Sequence, residues 1–301
     1  MKLKEISMEI TIFTPTYNRA YTILKLYESL KKQTFRDFEW IVIDDGSIDS
    51  TEEIFLDILT QKNDFPIIYR KVDNGGKHRA INKGIQLASG RLFFIVDSDD
   101  FLPYDSLARV SACEKSLTDN KTDIFAGVAG IKGKIGGGFC GKTFDGEYLD
   151  ITYLETGKNG IYGDKAEVYY TDVLRQYPFP EFDGEKFIME SVVWNVIAEA
   201  GYKLRYFNEI VYLCEYLEDG LTNQGTTKFI NTPKGYGLYL SQLIKYGKLK
   251  KIKKWQTIFE YYKLFHERFT IFDMARNLKM NPICLWLRIL GIRLFYKIYN
   301  R

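Results

Sequence analysis

The chain's 301 residues are 46% hydrophobic, with 22 tyrosines, 21 phenylalanines and only seven prolines, enough for two domains and incompatible with a disordered or proline-rich protein. Four scattered cysteines without a Cys-x-x-Cys pair (Cys113, Cys140, Cys214, Cys284) and two histidines exclude a disulfide framework, a thiolate zinc site and a multi-histidine metal centre, and they fit a reducing compartment. The net charge of +3 divides unevenly: residues 228–301 hold 16 Lys and Arg against 3 Asp and Glu, whereas residues 1–227 hold 26 against 36, so an acidic body and a basic tail suggest two parts with two partners.

The first residues, MKLKEISMEITIF, contain no apolar run of secretory type, and no window offers eighteen uncharged apolar residues. A cytoplasmic protein without a spanning helix is expected. Ile10 to Phe13 then reads as a strand, followed by a helix with Ile23, Tyr27 and Leu30 on one face. Trp40 to Ile43 is the second strand. A helix opens at Ser50, where Ser50 and Glu53 have capping-box spacing, and it is expected to bury Ile54, Ile58 and Leu59. Ile67 to Val72, Ala80 to Ala88 and Leu92 to Val96 read as strand, helix and strand. Such alternation implies βαβ units, a mostly parallel sheet and an α/β fold.

The four strands end in TPTYN (Thr14 to Asn18), DDGS (Asp44 to Ser47), DNGGK (Asp73 to Lys77) and DSDD (Asp97 to Asp100). Ligands of open α/β sheets bind at the carboxyl ends of the strands, so carboxylates, glycines and cations gathered there read as a binding site. Asp97 and Asp99 are two apart; in extended geometry both carboxylates point one way, and such oxygen-only ligands suit Mg²⁺ or Mn²⁺. A strand-end carboxylate at Asp44 can accept from a nucleobase or ribose, and Gly46 permits the turn. Two glycines leading into Lys77, His78 and Arg79 make a cationic helix start that suits an anion.

Further along, Gly136 to Thr143 satisfies G-x-x-x-x-G-K-[ST], the phosphate-cradling loop pattern. The following sequence, TFDGEYLDITYLETG, is a poor helix, so a glycine-rich hairpin or mobile loop is the expected form. In GEKFIMESVVW, the apolar positions Phe187, Ile188, Val192, Val193, Ile197 and Ala198 suggest a buried helix. Glu185 or Glu190 at its start is a candidate general base. The tail begins near 228. KYGKLKKIKK (Lys245 to Lys254) precedes a stripe of Trp255, Ile258, Phe259, Tyr262, Phe265, Phe269 and Phe272, and ICLWLRILGIRLFYKIY (Ile283 to Tyr299) is apolar nearly all round. A solvated basic face, a nucleic-acid contact and a membrane-surface anchor are the three readings; no nucleic-acid module precedes the tail, and the membrane surface is favoured.

In this order, TPTYNR, VIDDGS, DNGGKHRAINKGI and VDSDD resemble the family-2 glycosyltransferases of the GT-A fold over residues 9–103, and more loosely through GDKAEVYYTDVL and FPEFDGEKFIMESVVW to about 222. The resemblance implies a GT-A domain over 1–227, with a nucleotide-sugar half (1–103) and an acceptor half (104–227), and a helical, basic and aromatic extension over 228–301. It implies an inverting transferase with a UDP-sugar donor, Mn²⁺ or Mg²⁺, and a glycan or lipid-linked acceptor in surface-polysaccharide synthesis. Carried over by position, Thr14, Pro15, Tyr17 and Asn18 line the nucleotide, Asp44 holds uracil or ribose beside Asp45, and Lys77 and Arg79 stand near base or diphosphate. Asp97, with Ser98 beside it, faces the ribose, and Asp99 holds the metal. The family's base lies in a Glu-Asp pair; here Glu190 is followed by Ser191, so Glu190 is the first candidate and Glu185 the reserve. The alternatives are a P-loop NTPase or kinase using Gly136 to Thr143, an inactive nucleotide-sugar-binding homologue, and a nucleotidyltransferase, for which no Gly-rich, Arg-containing loop follows the first strand.

Overall fold

The computed structural model describes residues 8–119, 124–215, 227–246 and 249–299. The stretch before the expected boundary near 228 (216–226) and part of the basic run (247–248) lie outside the described residues. The amino-terminal elements are β1 (Ile10–Thr16), α1 (Ile23–Lys31), β2 (Phe38–Asp44), α2 (Thr51–Thr60), β3 (Ile67–Lys71), α3 (Lys77–Leu87) and β4 (Leu92–Ile95). Then come α4 (Ser106–Lys115), β5 (Phe125–Lys134), β6 (Tyr148–Ile151), β7 (Lys165–Tyr170), α5 (Thr171–Gln176), α6 (Ser191–Glu199) and β8 (Lys203–Cys214). Among the described residues five helices follow: α7 (Thr227–Ile230), α8 (Pro233–Lys245), α9 (Lys251–Phe265), α10 (Ile271–Asn277) and α11 (Pro282–Tyr299).

The chain divides into two compact units, Met1–Phe179 with Val193–Glu218, and Pro180–Val192 with Asp219–Arg301. One eight-stranded sheet, ordered β3-β2-β1-β4-β7-β5-β8-β6, runs through the first. β3, β2, β1 and β4 are mutually parallel, β7 is antiparallel to β4 and β5, and β8 is parallel to β5 and antiparallel to β6. Every position of β1 and β2 is buried, Glu39 included, whose carboxylate accepts from the Thr11 hydroxyl (2.6 Å) and the Ser89 amide (2.7 Å). Helix α1 buries Ile23, Leu26, Tyr27 and Leu30, one stripe at helical spacing.

Helix α2 departs from expectation. The Ser50 side chain makes no capping bond; Asp49 instead accepts from the Thr51 amide (3.1 Å) and hydroxyl (2.6 Å). The buried face is Thr51, Phe55 and Ile58, while Leu59 is exposed. The rotation follows from aromatic packing, since the Phe55 ring stacks 4.5 Å from Tyr69 and lies 5.4 Å from Trp40.

Within the second unit, Leu240, Ile258, Tyr261, Phe265, Met274, Leu278, Leu285 and Ile289 form the core of α8 to α11. The expected aromatic stripe is interrupted. Helix α9 ends at Phe265, and Thr270 with Asp273 forms a capping box that starts α10, so Phe272 belongs to another helix and is exposed. Among the described residues, no helix is long and apolar enough to cross a membrane.

The carboxyl edge of the sheet is placed by close packing beneath it. In α3, a Cβ at Gly84 would stand 2.2 Å from the Phe13 ring of β1, so the helix reaches the sheet only with glycine there. Gly84→Val should lower unfolding stability by about 3 kcal/mol, measured by urea denaturation.

Candidate active site at the carboxyl edge of the sheet

The parallel strands end level, with Thr16 opposite Asp44 and Asp44 opposite Lys71, so the turns that follow lie side by side. The loop after β1 is fastened to the loop after β2. The Asn18 amide donates to Ser47 Oγ (2.8 Å), and Asn18 Oδ1 accepts from the Ile48 amide (2.9 Å). Asn18 holds a φ of +52°, a left-handed conformation that asparagine tolerates. Two further ties run from the Arg19 amide to Thr51 Oγ1 (3.2 Å) and from the Ala20 amide to Asp49 Oδ2 (3.0 Å). Thr14 and Pro15 are buried, with Thr14 Oγ1 accepting from the Trp40 indole (3.0 Å), and Tyr17 is exposed. Ser47 belongs to the DDGS motif, whereas Asp49 and Thr51 lie outside every motif; they are ordinary turn residues until the second loop is seen beside them.

Asp44 closes the turn that follows β2. Its carboxylate is fully buried and accepts from the Ser47 amide (2.7 Å) and the Tyr69 hydroxyl (2.6 Å), so the side chain shapes the turn that a nucleotide would meet and has no exposed surface for base or ribose. Burial and the Asp44 carboxylate together push the Tyr69 phenol up, which keeps it protonated as the donor. Asp45 accepts from the amides of Gly75 (2.7 Å) and Gly76 (2.8 Å) and from Asn74 Nδ2 (3.1 Å), fixing the glycine turn that opens α3. Gly46 has φ +81°, and a Cβ on it would lie 3.0 Å from the Asn74 amide nitrogen, so glycine is required there twice over.

Residues 97–100 form a turn closed by the Asp100 amide on the Asp97 carbonyl (3.1 Å), not an extended segment. The alternation argument for Asp97 and Asp99 therefore does not hold, and their proximity comes from the turn. Lys77, at the start of α3, places Nζ 2.6 Å from Asp97 Oδ1. Arg79 Nη1 donates to the Gly75 carbonyl (2.6 Å), so this cation braces the glycine turn. From the far side, the Tyr212 hydroxyl of β8 accepts from the Asp97 amide (3.0 Å) and donates to Asp100 Oδ2 (2.7 Å). Asp100 Oδ1 accepts from the Glu215 amide (2.8 Å), and Lys132 of β5 stands 4.1 Å above the Tyr212 ring.

These contacts sort the carboxylates. Burial disfavours ionised Asp97, but Lys77 and Lys132 outweigh it and hold the carboxyl below its usual range. Asp99 is raised by burial and then by the charge of Asp97, and Asp100 is pushed up to about 7 by the same two causes. Ser98 is buried between them. Among the described residues, no three His, Cys, Asp or Glu side chains form a cage that could hold a metal ion alone. An oxygen-only partial set, with Asp99 disfavoured as a lone anion, fits Mg²⁺ or Mn²⁺ completed by water and phosphate oxygens.

The glycine-rich pattern does not form a phosphate cradle. The Gly137 amide donates to the Lys134 carbonyl (3.0 Å), and Lys142 pairs with Tyr162 through both backbone groups (2.9 and 3.2 Å). The next regular element is the strand β6, so no helix N-terminus faces the loop, and the NTPase alternative loses its structural basis. Phe187 to Glu190 precede α6, which starts only at Ser191. Glu190 is thus the residue before the helix. Glu185 is buried and accepts from the amides of Lys234 and Gly235 (2.8 Å each), capping the start of α8 with both oxygens.

Tyr212→Phe keeps the ring under Lys132 and removes the one hydroxyl that joins Asp97 to Asp100. Stability should fall by about 1–3 kcal/mol in urea unfolding, because a buried amide and carboxylate lose their partner.

Residues 11–133 match the sequence model of Glycosyl transferase family 2. The chain is 34% identical over 130 residues to the poly(ribitol-phosphate) β-glucosyltransferase of Bacillus spizizenii, covering 42% of this chain and 20% of that protein. It is 28% identical over 179 residues to the poly(ribitol-phosphate) β-N-acetylglucosaminyltransferase TarS of Staphylococcus aureus, covering 58% and 30%. The chain thus spans less than a third of the length of these curated relatives. Among solved structures, S. aureus TarS 1–349 in complex with UDP-GlcNAc superposes with a TM-score of 0.61 at 20% identity, over 94% of this chain and 80% of that one. The mannosyltransferase PcManGT of Pyrobaculum calidifontis, with GDP-Man and Mn²⁺, gives 0.53 at 19% identity, over 97% and 82%. The fold is GT-A-like, as expected: a mixed, mostly parallel sheet with flanking helices and a C-terminal helical region.

Proposed function

Residues 11–133 make the chain a member of Glycosyl transferase family 2, and from that premise we propose that it moves a sugar from a UDP-sugar to a hydroxyl of a glycan or lipid-linked acceptor in surface-polysaccharide assembly, inverting the anomeric carbon. The observation that carries this reading is the ion-paired Lys77 and Asp97 at the level ends of parallel strands, with Asp99 in the same turn. The complexes of TarS with UDP-GlcNAc and of PcManGT with GDP-Man and Mn²⁺ support a nucleotide-sugar donor and a divalent cation. The poly(ribitol-phosphate) named for two relatives supports a polymeric acceptor.

The donor's nucleotide lies along the loop that Thr14 and Pro15 lead into, at Tyr17 and Asn18, with Tyr17 offering an exposed ring to the base. Asp97, held ionised by Lys77, accepts from the ribose hydroxyls, and Ser98 packs beside it. Lys77 also faces the diphosphate, while Arg79 keeps the Gly75–Gly76 turn in place for it. Asp99 is the protein ligand for Mn²⁺ or Mg²⁺, which when bound supplies positive charge for the departing diphosphate. Glu190 takes the proton of the acceptor hydroxyl, whose oxygen attacks the anomeric carbon opposite the leaving diphosphate. Glu185, bound to two amides, serves α8 instead.

Thermal unfolding with UDP, GDP and ATP, each with and without Mn²⁺, tests the reading. At about a hundred times its dissociation constant, UDP with Mn²⁺ should add roughly 2.7 kcal/mol, a shift of a few degrees, and Asp99→Asn should remove the Mn²⁺-dependent part. Glu190→Gln should keep the UDP shift and lose turnover. A UDP shift without turnover of any UDP-sugar would make the chain a binding homologue; a shift with ATP alone would discard the transferase.

A further inference from the structure

The solvent side of α11 is apolar where a solvated helix would be polar. Ile283, Trp286, Leu287 and Leu290 are 68, 53, 54 and 39% exposed, and their spacing of three and four sets them in one stripe. Leu285 and Ile289, on the other face, belong to the core of the unit. Trp255 of α9, itself half exposed, sets its ring 3.3 Å from where a Cβ on Gly291 would stand, so the stripe continues onto a second helix. A cavity of about 320 Å³ opens beside Trp286 and Leu290 and is lined in part by Tyr262, Phe269 and Met274. A contiguous apolar surface of this kind marks an interaction face, not a solvated one.

Charge selects the partner. Helix α11 contains three basic residues and no acidic one, Lys253 and Lys263 are exposed on α9, and residues 228–301 carry 16 Lys and Arg against 3 Asp and Glu. We propose that the α9–α11 face docks on an anionic bilayer surface, with Ile283, Trp286, Leu287 and Leu290 entering the boundary between headgroups and acyl chains, and the cations meeting lipid phosphates. Two copies joined through this face would bring two strongly basic units together, and their repulsion opposes a dimer there. An acidic protein would also satisfy the charge, but aliphatic Ile283, Leu287 and Leu290 beside the exposed Trp286 suit the headgroup boundary, where indole rings are enriched. Neither unit need be catalytically competent for this docking, so it stands apart from the transferase reading.

The test uses the full chain with vesicles of phosphatidylglycerol and phosphatidylcholine, and of phosphatidylcholine alone, followed by co-sedimentation and tryptophan emission. Trp40 and Trp194 are buried, so a change in emission reports Trp255 and Trp286. Anionic vesicles should bind the protein and shift the emission to the blue, neutral vesicles should bind it less, and added salt should weaken the binding. Ile283→Ser with Leu287→Ser, both at exposed positions, should weaken partitioning about a hundredfold at an unchanged melting temperature. The proposal is overturned if the wild type ignores anionic vesicles, or if the double variant binds as tightly. It is equally overturned if the wild type is a dimer that the double variant converts to a monomer.

Discussion

Three carboxylates within four residues, at a strand end largely withdrawn from water, repel one another unless something offsets them. The candidate site is organised around that constraint. Lys77 arrives from the helix after β3, Lys132 from β5 and the Tyr212 hydroxyl from β8, each addressing a different side of the same turn. Their division of labour leaves one carboxylate firmly ionised, one disfavoured as an anion and one hydrogen-bonded into the sheet.

The loops around it are tied together for a related reason. Backbone amides at strand ends have no ladder partner; here Asp44 takes one up within its own turn, while Asp45, Ser47, Asp49 and Thr51 take others up across neighbouring loops. The polar residues at the carboxyl edge thus do two jobs. Some face the space where a ligand would lie, and others, Asp44 and Asp45 among them, hold the backbone that shapes it. Motif reading does not separate these, because an aspartate that binds a ribose and one that binds an amide look alike in a sequence.

The second unit has its own logic. Glu185 caps the first turn of α8, Thr270 and Asp273 cap α10, and the helices bury one apolar core while α11 leaves another apolar face outside. Its basic composition and that face belong to the same unit, which composition alone could suggest but not assemble.

The sequence by itself determined the fold class and the placement of the motifs. Period-two and period-3.6 patterns marked β1 to β4 and their helices, and parallel strands put TPTYN, DDGS, DNGGK and DSDD on one edge whatever the rest of the chain did. On α2, Ile58 is buried and Ile54 packs against the core as expected, but Leu59 is exposed and Phe55 turns inward to Tyr69 and Trp40, neighbours supplied by other strands. The glycine pattern at 136–143 matched a phosphate loop in letters, but only the element that follows it could decide the matter. Tyr212 and Lys132 carried no signal at all: they reach the acidic turn because β7, β5 and β8 follow β4 in the sheet, an order set by long-range pairing and not by spacing along the chain. Local periodicity writes which residues share an edge, and only tertiary packing decides which of them face one another across it.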